Sequence, residues 1–314
     1  MERRTVGDSG ELRAGAGAAV MAAAIISAGL HLIGHDVLSL AALAVAAAWW
    51  VVLAVAFAAM LVRDRGGWIA VAGTPPGLTA VAATAVLGTR LVLLGWRDTA
   101  AAMLALAVLL WPVLTIRVLR RLTRGMPGGV FLIAVPPQAI AVLGERLAVA
   151  YDCAWLGSAA LGFFCLGLAL YVVALWCFDF RQILTGAGDQ WVAGGALAIA
   201  ALDGSALVAS PQWSGDAHGV LETATLVIFA LTCAWYAVLL GAEVLRPRPG
   251  YDLRRWSTIF PLGMIATASL SLSAPLGITW LEPLGQVLLW IALAAWLIAF
   301  AALLRIRARP RTPA

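Results

Sequence analysis

The sequence predicts an all-α polytopic membrane protein whose ten transmembrane helices form five hairpins around a central pore, odd helices inside and even helices outside. Three observations carry that prediction. Ten apolar stretches are each long enough to cross a bilayer, the arginines between them sort almost entirely onto one side, and tryptophan and proline divide the stretches into two alternating kinds. Composition agrees, with 63% hydrophobic and 12% charged residues and a mean hydropathy of +0.95. A soluble domain of this size cannot hide so much apolar surface.

Runs of about 20 residues with few charges read as spans. They fall near 14–33, 38–62, 74–94, 99–119, 128–147, 151–178, 191–209, 219–245, 252–279 and 282–304. Residues 1–13 are then an N-terminal tail, 14–304 the pore domain and 305–314 a basic C-terminal tail. With the amino terminus in the cytoplasm, the inner segments hold Arg3, Arg4, Arg13, Arg63, Arg65, Arg117, Arg120, Arg121, Arg124, Arg181, Arg246, Arg248, Arg254, Arg255, Arg305, Arg307, Arg309 and Arg311. That is 18 of 21 cationic residues, leaving Arg90, Arg97 and Arg146 outside or near the outer ends. A miscounted helix scrambles this alternation, so the asymmetry checks the count and the orientation together. The expected location is a bacterial-type inner (plasma) membrane, with both termini cytoplasmic.

The net charge of +5 is mostly this inward bias, and no basic groove with interleaved aromatics points to nucleic acid. Glu2, Asp8 and Glu11 accompany the first arginines, so the start reads as a retained tail rather than a cleaved signal peptide. Cys153, Cys165, Cys177 and Cys233 all fall inside spans without paired spacing and read as small packing residues.

The two kinds of span differ in side-chain size. Trp49, Trp50, Trp111, Trp155, Trp176, Trp235, Trp290 and Trp296 lie in even spans; Trp68, Trp191, Trp256 and Trp280 lie only at or beyond the ends of odd ones, where interfacial anchoring explains them. Odd spans collect Gly15, Gly17, Pro75, Pro76, Pro136, Pro137, Gly194, Gly195, Gly204 and Pro261, against one interior proline, Pro112, in the even spans. Small residues let helix backbones approach closely, and proline frees a carbonyl that only a neighbour can satisfy in a membrane. The odd spans are therefore the inner ring. A five-plus-five inverted repeat would make the first span resemble the sixth. The first is small and alanine-rich, whereas the sixth carries Trp155, Phe163, Phe164, Tyr171 and Trp176.

The stretch Tyr251–Leu304, reading YDLRRWSTIFPLGM before a long apolar helix, joins VMAAAIISAGLHLIG from Val20, VLGTRLVLLG from Val86 and FLIAVPPQAIAVLG from Phe131. With these segments the chain resembles the tellurite-resistance and C4-dicarboxylate transporter family, related to fungal malate permeases and plant slow anion channels. The resemblance implies ten helices in five hairpins around a pore, a homotrimer with one pore per subunit, and a phenylalanine beside a proline on the ninth helix that occludes the path. The matching pair is Phe260 and Pro261. By the same resemblance Ala24, Thr84, Pro136, Pro137, Gln138 and Gly195 are candidate pore-lining residues.

Departures from the family pattern run toward apolar. Ala23 and Ala24 replace Thr-Gly; Ala83, Thr84 and Ala85 replace Gly-Thr-Asn; Ala200 and Ala201 replace Thr-Thr; and Pro136, Pro137, Gln138 and Ala139 replace Ala-Thr-Gln-Ser. Fewer hydroxyls are left to replace an ion's hydration shell, and an apolar constriction gates by expelling water. The expectation is low anion conductance, or a less strongly hydrated solute.

Asp203, in the outer half of the seventh span, is costly there and by default functional. Arg90, toward the outer end of an odd span, is its expected partner, either in a structural ion pair or interfacial charge facing water, or as an outer-vestibule charge that attracts anions while Asp203 tunes it or takes up a proton. Gln138 reads either as an amide lining the path or as a helix-to-helix hydrogen bond. Glu145 and Arg146 are expected in solvent at the end of the fifth span. His31 and His35 lie four apart on one helix face but lack a convergent third ligand, so no metal or cofactor is expected.

No aspartate-rich pair, His-Glu-x-x-His, glycine-framed serine or nucleotide-binding loop appears, so no enzyme activity is expected. The function expected is an anion channel or transporter whose partners are small anions or organic-acid anions and membrane lipid. A proton-coupled organic-acid carrier and a non-conducting scaffold are the alternatives.

Overall fold

The computed structural model describes residues 4–248 and 255–308. Its α-helices are α1 (Arg4–Leu32), α2 (Asp36–Arg63), α3 (Arg65–Ala72), α4 (Thr79–Leu93), α5 (Arg97–Leu119), α6 (Val135–Tyr151), α7 (Ala154–Cys177), α8 (Gln182–Thr185), α9 (Val192–Ala209), α10 (Asp216–Leu245), α11 (Trp256–Ser273) and α12 (Leu281–Ala308). Short 3-10 turns, Pro75–Leu78, Gly128–Ile133 and Asp189–Trp191, lead into α4, α6 and α9. The fold is an all-helical, polytopic membrane architecture. Among the described residues eight helical stretches are long and apolar enough to cross a membrane, and Ala16–Leu32 of α1 is a shorter apolar one.

Five of the helices close a circle. Helix α1 packs on α4, α4 on α6, α6 on α9, α9 on α11, and α11 back on α1. Each ring member also packs on the helix that follows its connection: α2, α5, α7, α10 and α12 respectively. These are the five hairpins, with the small-residue spans inside. Burial separates the layers: the apolar windows of Gly128–Tyr151 and Asp189–Ala209 are each 94% buried, whereas those of α2, α5, α7, α10 and α12 range from 6% to 39%.

Every joint of the ring closes over a glycine. A Cβ on Gly17 would stand 2.2 Å from Thr79 Oγ1, between α1 and the start of α4; one on Gly88 would stand 2.7 Å from Leu143 Cδ2, between α4 and α6. Gly128 faces the Gln190 backbone ahead of α6 and α9, Gly195 faces Pro261 between α9 and α11, and Gly263 faces Ile25 between α11 and α1. Without the missing side chains the helices approach closely enough to gain dispersion contact, which substitutes for the hydrophobic drive that lipid does not provide.

Several expectations are corrected at the ring's edges. Pro75 and Pro76 open a 3-10 turn, and Pro136 and Pro137 stand in the first turn of α6, where no intrahelical N–H is lost. Of the inner-span prolines only Pro261 lies inside a helix. The fifth span runs on to Tyr151, and Asp152, at a φ of 51°, turns the chain toward α7. Helix α1 is already helical at Arg4, so the described part of the segment read as a tail continues the first helix. Trp68, Trp191 and Trp256 are buried rather than anchored at an interface, and Trp256 packs edge-on against Trp49. Trp280 is 61% exposed. Arg3, Arg254, Arg309 and Arg311, and the Tyr251 that opens the longest resembling stretch, lie outside the described residues.

Candidate functional site

The five ring helices jointly line one axial cavity. Its walls are Ile25, Ala28 and Leu32 of α1; Val86, Thr89 and Leu93 of α4; Ala139, Val142 and Arg146 of α6; Ile199 and Leu202 of α9; and Met264, Thr267 and Ser271 of α11. Four of the helices contribute at the same spacing, i, i+3 and i+7, which is one face of an α-helix. The cavity is narrow, leaving about 30 Å³ for the centres of water molecules, room for one or two waters. It lies toward the ends where α1, α4 and α11 finish, away from the arginine-rich connections at 63–65 and 117–124.

Among the lining residues Arg146 alone carries charge. Sequence reasoning missed it by taking it for a solvated helix end. Because α6 continues to Tyr151, Arg146 stands more than a turn inside, half-buried and in register with Ala139 and Val142. Three hydroxyls share the wall: Thr89 donates to the Ala85 carbonyl at 3.0 Å, Thr267 to the Gly263 carbonyl at 2.9 Å, and Ser271 Oγ has no partner. The remaining walls are apolar and both threonine protons are committed to backbone carbonyls, so the cavity offers an anion one guanidinium and the Ser271 hydroxyl.

Phe260 and Pro261 lie on α11, Phe260 one turn from Met264 toward the arginine-rich end and 1% exposed. Pro261 sits against Gly195 of α9, and the Tyr236 hydroxyl of α10 donates to the Pro261 carbonyl. Stepping back four residues from the first lining position of each helix gives Met21, Ala82, Val135, Gly195 and Phe260, a buried layer beneath the cavity. Ala24 is buried beside Ile25, and Pro136 and Pro137 are buried at the start of α6; none of the three lines the cavity.

Other predicted residues turn away from the axis. Gln138 Nε2 donates to the Phe164 carbonyl of α7 at 3.2 Å, which is the helix-to-helix bond rather than the pore amide. Thr84 accepts from Trp50 Nε1 at 2.9 Å and faces the outer hairpin. Arg90, 1% exposed, donates from Nε to Ser27 Oγ at 3.2 Å and from Nη2 to Ser39 Oγ at 3.0 Å. It clamps α4 to the first hairpin and does not pair with Asp203. Asp203 is fully buried, and neither of its carboxylate oxygens has a hydrogen-bond partner. Glu145 is buried rather than solvated, packed toward Gly157 of α7. The two histidines diverge: His31 Nδ1 meets Asp36 Oδ1 at 2.6 Å, while the His35 ring stands edge-on to Trp290. Among the described residues no group of three metal-ligating side chains converges.

Sequence similarity to a known family runs along nearly the whole chain. Residues 12–304 match the family described as voltage-dependent anion channel. The chain belongs to that family. As a voltage-dependent anion channel family member it is a multi-pass membrane protein of a channel and transporter group. Two curated relatives, uncharacterised membrane proteins from two strains of Mycobacterium tuberculosis, are each 32% identical over 125 residues, covering 36% of this chain. The chain spans 61% of the length of those relatives.

Proposed function

We propose that the protein is an anion channel whose path follows the axis of the five-helix ring, with Arg146 selecting charge at the mouth and Phe260 occluding the passage below. The observation that carries this reading is the cavity to which all five ring helices contribute and in which Arg146 is the one charged lining residue. A single guanidinium in a low-dielectric wall favours anions and repels cations, and it does so more strongly than in water. Phe260 supports the closed state by its register: it is the largest side chain of the layer beneath Met264 and is shielded from solvent. Tyr236 and Gly195 hold the adjoining Pro261 from two sides, which fixes the position of the ring.

The narrow, largely apolar cavity supports the low conductance expected from the alanine substitutions, since few groups replace lost hydration. The arginine asymmetry supports ten crossings with both termini cytoplasmic in a plasma membrane, and on that reading the cavity is the outer mouth. A homotrimer is proposed from the resemblance alone. The test is anion efflux from liposomes carrying the wild-type protein or Phe260→Ala: enhanced efflux in the variant supports an occluded pore, and equal efflux from well-folded protein contradicts it.

A second reading, a proton-coupled organic-acid carrier, is favoured by Asp203, buried and unpartnered beside Leu202 of the cavity wall. A passive channel needs no titratable group, whereas coupling does.

A further inference from the structure

A second, larger space opens on the side of the molecule. Helix α2 is among the most apolar in the chain, with a mean hydropathy of 2.5 over its best window, yet only 6% of that window is buried. Beside it, lined also by residues of α1, α3, α4 and α5, lies a groove of about 760 Å³, within the usual range of ligand pockets. Trp50, Phe57 and Ala59 of α2, Trp68 of α3, Ala83 of α4 and Leu110 of α5 line it. The groove follows α2 from Trp50 to Arg63, about 20 Å at 1.5 Å per residue, slightly more than one leaflet of a hydrocarbon core about 30 Å thick.

The chemistry of the two ends differs. The deep end is apolar, and its polar atoms are engaged with each other: Trp50 donates to Thr84, and Thr84 donates to the Ala80 carbonyl at 2.8 Å. The opposite end is basic. Arg63 lines it, Arg65 follows, the Arg117 guanidinium lies 5.2 Å from the Trp68 ring centre, and Arg121 packs against Gly73 just beyond α3. The acid at that mouth, Asp64, is already occupied as the cap of α3, accepting from the Gly67 amide at 2.9 Å.

We infer that this groove is a binding site for an anionic glycerophospholipid, with an acyl chain against α2, α4 and α5 and the phosphate among Arg63, Arg117 and Arg121. A bilayer-embedded apolar space of this size gains nothing from water, which would find too few partners there. An acyl chain fills it at no desolvation cost. The basic rim adds electrostatic attraction for a negative headgroup near the membrane surface. The site is separate from the axial cavity, and the chain it holds rests on Ala83 of a ring helix.

The full-length protein, purified in mild detergent and stripped of lipid, would be titrated with phosphatidylglycerol or phosphatidylcholine and the bound lipid counted by native mass spectrometry. Wild type should hold phosphatidylglycerol in preference to phosphatidylcholine. Ala59→Trp, which fills the groove, should weaken that binding by about tenfold or more, as loss of a buried apolar chain requires. Arg63→Gln with Arg121→Gln should erase the headgroup preference. Ala80→Leu, from the facing wall, repeats the blocking test if Ala59→Trp does not fold. Undiminished phosphatidylglycerol binding in a folded blocking variant overturns the proposal, as does equal wild-type affinity for both lipids. Efficient disulfide cross-linking of two chains through Ala59→Cys also overturns it, because it makes a second copy the occupant.

Discussion

Inner and outer helices alike are apolar, the outer ones more so, and they differ in what they touch. Asp189–Ala209, in the ring, has a window hydropathy of 1.7 and is 94% buried; Ala154–Cys177, outside it, has 2.2 and is 39% buried. Hydropathy reports that both prefer hydrocarbon to water. Side-chain size decides which one meets helices and which meets lipid, because only small residues let five backbones converge. Glycine shows the difference most directly: at Gly88, Gly195 and Gly263 an added Cβ would collide with the neighbouring helix, whereas at Gly162, Gly219 and Gly241 of the outer helices it would meet nothing within 4 Å.

That contrast is breakable. Gly88→Leu and Gly195→Leu should each lower stability by about 1–3 kcal/mol or more, the usual penalty for overpacking, seen as a drop in melting temperature in detergent. Gly162→Ala and Gly241→Ala should be neutral or raise stability by up to about 1 kcal/mol through helix propensity. Equal losses at the two kinds of site would dissolve the distinction between ring and mantle.

Arg90 and Arg146 sharpen it on the polar side. Arg90→Ala removes hydrogen bonds from a charged donor to Ser27 and Ser39 and should cost about 1.5–3 kcal/mol of stability, measured by thermal unfolding, with ion selectivity intact. Asp203→Asn keeps the shape of the buried site and should flatten the pH dependence of flux only if the carrier reading holds; an unchanged profile measured in liposomes retires that reading. Tyr236→Phe is the smallest change. It removes one hydrogen bond to Pro261, worth about 1 kcal/mol, and should raise basal flux slightly by loosening α11.

Much of this arrangement was legible in the sequence, and the limits are physical. The alternation of tryptophan-rich with glycine- and proline-rich spans anticipated the ring and its mantle, because membrane packing constrains size as much as polarity. That Phe260 and Asp203 sit inside helices rather than in connections was legible too. Direction around the helix was not. Arg90 and Asp203 were paired by depth, yet Arg90 follows Thr89 of the cavity wall by about 100° of rotation and points to Ser27 and Ser39 instead. Gln138, one residue before Ala139, turns to α7 for the same reason.

Arg146 was overlooked because the fifth span was ended at residue 147, a turn too early. The repeated i, i+3, i+7 spacing in α1, α4, α6 and α11 was the available signal, and aligning those faces would have placed Arg146 beside Leu32, Leu93 and Ser271. The burial of Trp191 and Trp256 had no such signal: a tryptophan near a span's end looks alike whether it meets headgroups or a neighbouring helix.

The central claim is that ions pass along the axis and meet Arg146 on the way. Its most direct test is the reversal potential of Phe260→Ala in a planar bilayer under a potassium chloride gradient, with and without Arg146→Glu. The account predicts an anion-selective current that shifts toward cation selectivity when Arg146 is reversed, by about tenfold in permeability ratio for a charge interaction of order 1 kcal/mol or more. A current whose reversal potential ignores the substitution would contradict it.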